Sequence, residues 1–137
     1  AEAAIDSVEN PTVLDDLLRT IGATPVDFPF ATECCGSFEI VSDPVSVSQR
    51  TREIVEMAVR QGAEAIVVSC PLCCHNLGER QADLATTRSD FQPLPIVYFS
   101  QMLALALGVD PAVCRFDLNF GDAEAWLAGK GLLTPVS

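Results

Sequence analysis

Apolar and polar positions come in blocks along the chain, and the spacing within the blocks switches between helical and extended periods. In "ENPTVLDDLLRTIG", Leu14, Leu17, Leu18 and Ile21 recur at three- and four-residue intervals, which lays them along one helical face. Asn10 as N-cap, Pro11 at the first helical position, Asp15 and Asp16 in the N-terminal half and Gly22 as a stop sign both ends. "TPVDFPF" then predicts a short strand, with two prolines that suit an edge or an irregular path. Asp43-Pro44 opens a second helix that carries Val47, Ile54, Val55 and Ala58 at helical spacing and ends at Gly62. "AEAIVVS" is a β-branched run of the kind buried in parallel sheets. Cys70-Pro71 ends it, and a more polar helix is expected from about Leu72 to Leu84. "LPIVYF" predicts a further strand, Ser100 a cap for the helix "QMLALAL", and Gly108 its end. The tail holds one short helix over about Asp122 to Ala128, in which Trp126 and Leu127 pack the tail onto the body.

Strands alternating with helices of ten or more residues imply βαβ units with right-handed crossovers. The expected fold is therefore α/β, three-layered, with a small and mostly parallel sheet. The 137 residues suit a single domain with a sizeable core. No internal repeat, low-complexity tract or linker divides them.

Composition narrows the function. Hydrophobic residues at 49% and charged ones at 20% describe a globular chain rather than a disordered one. No run reaches the roughly 18 apolar residues of a membrane span, and no charged region precedes an apolar leader, so a cytoplasmic protein is expected. Eight basic against nineteen acidic residues give a net charge of −11, which repels phosphate backbones and makes nucleic acid a poor partner. The same charge suits solubility or docking to a basic protein surface. There is no Gly-rich dinucleotide loop, no Walker loop and no Ser/His/Asp constellation. Arg80 and Arg88 read as solvated helix charges.

The six cysteines carry the remaining signal. They are too few for a disulfide scaffold, and four of them fall in two tight groups, "TECCGSFEI" and "SCPLCCHNL". Cys34 and Cys35 follow the first predicted strand and Cys70 and Cys73 the second, and parallel strands end on one edge of a sheet, so the two groups should face each other there. Cys70 and Cys73 form a C-x-x-C where a strand becomes a helix, and the free N–H groups of that helix end favour thiolate over thiol. Three readings remain: a metal or cluster site, a Cys70/Cys73 dithiol redox pair, or buried structural thiols. Adjacent Cys34 and Cys35 diverge in an extended segment, which suits a polynuclear cluster better than one tetrahedral ion. Gly36 permits a backbone turn that a Cβ would block. Cys74 and His75 lie off the Cys70/Cys73 face and are secondary candidates; Cys114 is expected in the core.

Cys34-Cys35-Gly36, 34 residues, then Cys70-Pro71-Leu72-Cys73 resembles the second half of the cysteine-rich CCG motif. That motif occurs in the B subunit of heterodisulfide reductase and in related subunits of glycolate and lactate oxidases, anaerobic glycerol-3-phosphate dehydrogenases and some succinate or fumarate reductases. The similarity runs over about residues 8 to 108 and is to the C-terminal of the two CCG domains of the heterodisulfide reductase protein. It implies a non-cubane [4Fe-4S] cluster held by five thiolates, of which Cys34, Cys35, Cys70 and Cys73 would be four. It also implies partner subunits of a heterodisulfide-reductase-like electron-transfer complex, reducing a disulfide or related acceptor. Zinc, associated with some domains of this type, is the alternative, as a structural docking module without redox turnover. The family pattern has one more cysteine, roughly 31 to 39 residues before the pair, on a preceding strand. The corresponding position here is at or before Glu2, so the expectation is a fragment of a longer polypeptide that lacks its first strand and first motif cysteine, without turnover of its own.

Overall fold

The computed structural model describes residues 5–133. In chain order the elements are α1 (Val13–Thr20), α2 (Pro44–Arg60), β1 (Ile66–Val68), α3 (Pro71–Thr87), β2 (Ile96–Tyr98), α4 (Phe99–Ala106), α5 (Pro111–Cys114) and α6 (Ala123–Gly129), with 3-10 turns at Ser37–Glu39 and Phe116–Leu118. The strands pair in parallel, Ile66 opposite Ile96 and Val68 opposite Tyr98, with α3 as the crossover between them.

Alternation along these two strands divides the core. Ile66, Val68 and Ile96 pack with Ile54, Val55 and Ala58 of α2 and Leu77 of α3. Val67 and Val97 pack instead with Met102 of α4, Phe116 and Leu127 of α6. Helices thus cover both faces of the sheet, the three-layer α/β arrangement expected from the chain's alternation. Trp126 and Cys114 both lie half-buried against the second cluster. Arg80 and Arg88 stay partly exposed and pair with Asp83 and Asp90, at 3.1 Å each.

The signed helix ends hold where a side chain or glycine enforces them. Asp43 accepts the Ser46 N–H at 3.0 Å to cap α2, and Gly62 ends it at φ +79°. Val47, Ile54, Val55 and Ala58 are all buried. Asp122 caps α6 by accepting the Ala125 N–H.

Three expectations need correction, and one element is new. Residues 24–30 form no strand; Pro25 and Pro29 offer no N–H to a ladder. Phe28 and Phe30 anchor the segment instead, edge to face with ring centres 5.9 Å apart. Helix α1 starts at Val13 rather than after Asn10, because the Asp6 carboxylate accepts the Thr12 and Val13 N–H groups. Ser100 lies inside the first turn of α4, whose entry is fixed by the Gln101 Oε1 accepting the Tyr98 N–H at 2.8 Å. Helix α5 is an addition to the sequence pattern: four residues are too short to show a period, although Asp110-Pro111 is its start signal.

The two edges of the sheet differ. On the outer edge of β2, the Ile96 N–H donates to the Phe120 carbonyl at 3.2 Å, and the Ile96 carbonyl accepts from Asn119 Nδ2 at 2.8 Å. This cover is tight. A Cβ on Gly121, at φ +78°, would come within 2.8 Å of Pro95 Cα, and one on Gly78 within 2.9 Å of Phe120 Cβ. On the other edge, β1 has no neighbouring strand among the described residues. Parallel pairing turns the Val67 N–H and carbonyl toward that side. A groove of about 500 Å³ follows the edge, walled by Leu14 and Leu18 of α1, by Phe28 and by Ile66 and Val68. Of the apolar stripe predicted for α1, Leu18 is buried, while Leu14 and Leu17 remain 36% and 41% exposed.

Candidate metal centre

The groove runs to the C-terminal end of β1, where three cysteines meet. Cys70 ends the strand as N-cap of α3, Cys73 follows on the first turn, and Cys35 comes from the loop before the first 3-10 turn. Cys35 is buried, Cys73 half-buried and Cys70 exposed. The thiols form a chain, with Cys73 neighbouring both Cys35 and Cys70.

Three features hold the Cys35 loop against α3. Gly36 takes φ +80°, the left-handed conformation that turns the backbone after the cysteines. The buried Asn76 donates from Nδ2 to the Cys35 carbonyl at 3.2 Å. On the far side, Arg50 of α2 pairs with Glu33 and lies 4.7 Å over the Phe30 ring.

The electrostatics separate the thiols. Cys70 is held below the ordinary thiol range, first by the Cys73 backbone N–H and then by that of Leu72, both at the open N-terminus of α3. Cys73 is pushed up to about 12, first by burial and then by the neighbouring Cys35 and Cys70. One negative charge at Cys70 is favoured, and a second beside it is opposed until a cation shares the site.

The other sequence candidates lie outside this group. Cys34 is exposed; its sulfur accepts the Gly36 N–H at 3.5 Å and lines a separate cavity with Glu39, Arg50 and Glu53. The divergence expected of adjacent side chains has occurred: Cys35 faces Cys73, whereas Cys34 does not. Cys74 turns toward Tyr98, whose hydroxyl is pushed up to about 12 first by burial and then by the hydrogen bond to Cys74. His75 is exposed. Among the described residues no three His, Cys, Asp or Glu side chains are positioned to hold a single metal ion. The position of the additional family cysteine lies outside the described residues.

The donor chemistry nevertheless suits a thiophilic metal. Cys73 has a thiol neighbour on either side, and Cys70 borders backbone N–H groups that stabilise thiolate. Sequence reasoning misses Asn76 and Tyr98. Asn76 stands three residues after Cys73, on the same helical face, and Tyr98 ends a strand at the same rim; those positions are the available signals.

Comparison with known proteins places the chain in a family. The chain is 28% identical over 122 residues to the 8-methylmenaquinol:fumarate reductase membrane anchor subunit of Wolinella succinogenes, covering 89% of this chain and 43% of that protein. It is 27% identical over 119 residues to the B subunit of the ferredoxin:CoB-CoM heterodisulfide reductase of Methanosarcina mazei, covering 84% and 39%. A protein of Archaeoglobus profundus, itself described as like the B subunit of heterodisulfide reductase, is 30% identical over 104 residues, covering 74% and 35%. The chain thus spans about two fifths of the length of these relatives. No helix among the described residues is long and apolar enough to cross a membrane. The family model of the cysteine-rich domain, CCG, matches residues 3–78, more than half of the chain and all the thiols of the centre, and the protein belongs to that family.

Proposed function

We propose that this chain is the metal-binding, electron-transfer domain of a heterodisulfide-reductase-like protein. The observation that carries the reading is the chain of sulfurs Cys35–Cys73–Cys70 at the C-terminal rim of β1. Cys35, Cys70 and Cys73 would hold the group, with Cys34 as a fourth donor. A non-cubane [4Fe-4S] cluster accommodates two neighbouring thiolates better than a single zinc ion does, and it would supply one-electron transfer to a disulfide or related acceptor. The chain's own residues set the environment: Asn76 fixes the Cys35 backbone, the α3 N–H groups bond to sulfur, and burial around Cys35 and Cys73 limits water.

The open edge of β1 supports the second part of the proposal. Its groove has an apolar wall, offers the Val67 backbone groups and ends at Cys70 and Cys73. A strand supplied by a longer polypeptide would pair with β1, cover Leu14 and deliver a further thiolate at the same rim. We read the present chain as one domain of such a polypeptide, with the other subunits of a reductase complex as its partners and turnover confined to the assembly.

Anaerobic purification, with iron, sulfide and zinc analysis and visible spectra, tests the reading on this chain and on a longer polypeptide. The expected result is a brown protein that bleaches on reduction and loses its metal in C35S, C70S and C73S variants. Stoichiometric colourless zinc would favour the structural docking module instead. A metal-free protein in which Cys70 and Cys73 cycle between dithiol and disulfide would overturn both.

A further inference from the structure

The segment that joins Gly36 to the first turn of α2 presents three large apolar side chains to water: Phe38, Val41 and Val45 are 73%, 94% and 74% exposed. Exposed apolar groups gathered in one place, unlike single ones, call for an explanation. The segment is braced. The Gly36 carbonyl accepts the Glu39 N–H at 2.9 Å, the Glu39 carbonyl accepts those of Ser42 and Asp43 at 3.0 and 2.8 Å, and Asp43 caps α2. A turn fixed in this way gives up little further freedom when a surface is laid on it. Its surroundings are acidic. Phe38 lines a cavity of about 540 Å³ with Glu33, Glu39, Glu53 and Arg50. Arg50 is engaged with Glu33 and Glu53, and among the described residues no basic side chain pairs with Glu39 or Asp43.

Charge decides what can cover these side chains. A second copy would bring another net −11 against the same acidic rim, and an anionic membrane or a nucleic acid is repelled in the same way. A small molecule needs concave apolar walls, whereas Val41, the most exposed of the three, lines neither neighbouring cavity. An apolar centre with cationic groups around it is the complement of this surface. We propose that residues 38–45 dock a basic, amphipathic segment of a partner protein. Its apolar face lies on Phe38, Val41 and Val45, and its cationic groups meet Glu39 and Asp43. The inference goes beyond the metal-centre reading and stands with or without metal, because it rests on surface apolarity and charge.

The test uses the whole chain and a synthetic helical peptide with lysine on one face and leucine on the other. A lysine–serine peptide of equal charge is the control. Binding is followed by fluorescence anisotropy and the contact surface by hydrogen exchange. The expected result is saturable binding of the lysine–leucine peptide, weaker binding of the control, and protection centred on residues 38–45. Phe38→Ser should weaken binding about tenfold, as loss of one aromatic anchor does, and Glu39→Gln about twofold, as loss of one rim charge does. Val41→Ser should weaken it by an intermediate factor. All three positions are exposed, so unchanged urea midpoints are expected and separate lost docking from lost folding. Equal binding of the two peptides, protection spread over the other acidic surfaces, or full affinity in Phe38→Ser and Val41→Ser would overturn the proposal. So would self-association abolished by Val41→Ser, which assigns the patch to a second copy, or tighter binding to phosphatidylglycerol vesicles than to the peptide, which assigns it to a membrane.

Discussion

The two edges of the sheet belong to strands of equal length and similar composition, yet one is sealed and the other open. At β2, the segment Asn119–Gly121 supplies a carbonyl and an amide in place of a third strand, and two glycines allow that segment to lie close. At β1, an amphipathic helix and a phenylalanine-anchored loop flank a groove that no described residue fills. The sealed side supports the stability of the domain, and the open side ends at the thiols. Uncovered strand edges are recognition surfaces or liabilities, and here the position of the cysteines favours recognition.

Damage to the sealed edge should have the largest effect. Gly121→Ala adds a methyl group against the Pro95 backbone at a positive φ, and a loss of about 3 kcal/mol in urea unfolding is expected. Asn119→Ala leaves the Ile96 carbonyl without its side-chain partner, removes the Asn119 bonds to the Gln101 amide, and should cost about 2 kcal/mol in the same assay. A loss of under about 0.5 kcal/mol in both variants, the level of an ordinary surface substitution, would remove the distinction between the edges.

Amide exchange sharpens the comparison without mutation. The Val67 N–H should exchange at least about tenfold faster than the Ile96 N–H, because only the latter needs its covering segment to open. In a longer polypeptide that provides a strand, the Val67 rate should fall toward that of Ile96. Equal rates in this chain would mean that the open edge is already protected.

The smallest effect lies at the end of α1 that borders the groove. The Thr12 and Val13 N–H groups hold the exposed Asp6 carboxyl below its ordinary value of 3.8. A carboxyl depressed in the folded state stabilises above its unfolded pKa and loses that contribution as pH falls through its folded value. Slight loosening of α1 is therefore expected only in acid, and D6N should show it at neutral pH too. Helicity by circular dichroism checks both, and the two proteins should converge at the acidic end. A pH-independent difference would assign the effect to something other than the carboxylate.

Much of this fold was legible because periodicity and end signals agreed. Helix α2 has its cap, its glycine stop and four buried apolar positions where the pattern placed them. β1 and β2 were visible as β-branched runs. "TPVDFPF" misled because apolar alternation is equally consistent with a segment that packs by its aromatic rings, and its prolines decided between the two. At the candidate site, spacing gathered the cysteines toward one rim but did not show which way each faced. The Cys34 sulfur accepts the Gly36 N–H while Cys35 turns inward, and which of the two adjacent thiols would do so is not written in their spacing. Asn76 was hidden for a similar reason: a lone amide on a polar helix carries no pattern until its partner, 41 residues away, is known.

That single amide contact has a consequence for loading. With its carbonyl clamped by Asn76, the Cys35 loop has already given up its wandering, so under the proposed reading metal capture would require side-chain rotation rather than ordering of a whole segment. Asn76→Leu should therefore slow uptake while leaving the sulfur inventory intact, the signature of a template loosened rather than a ligand removed.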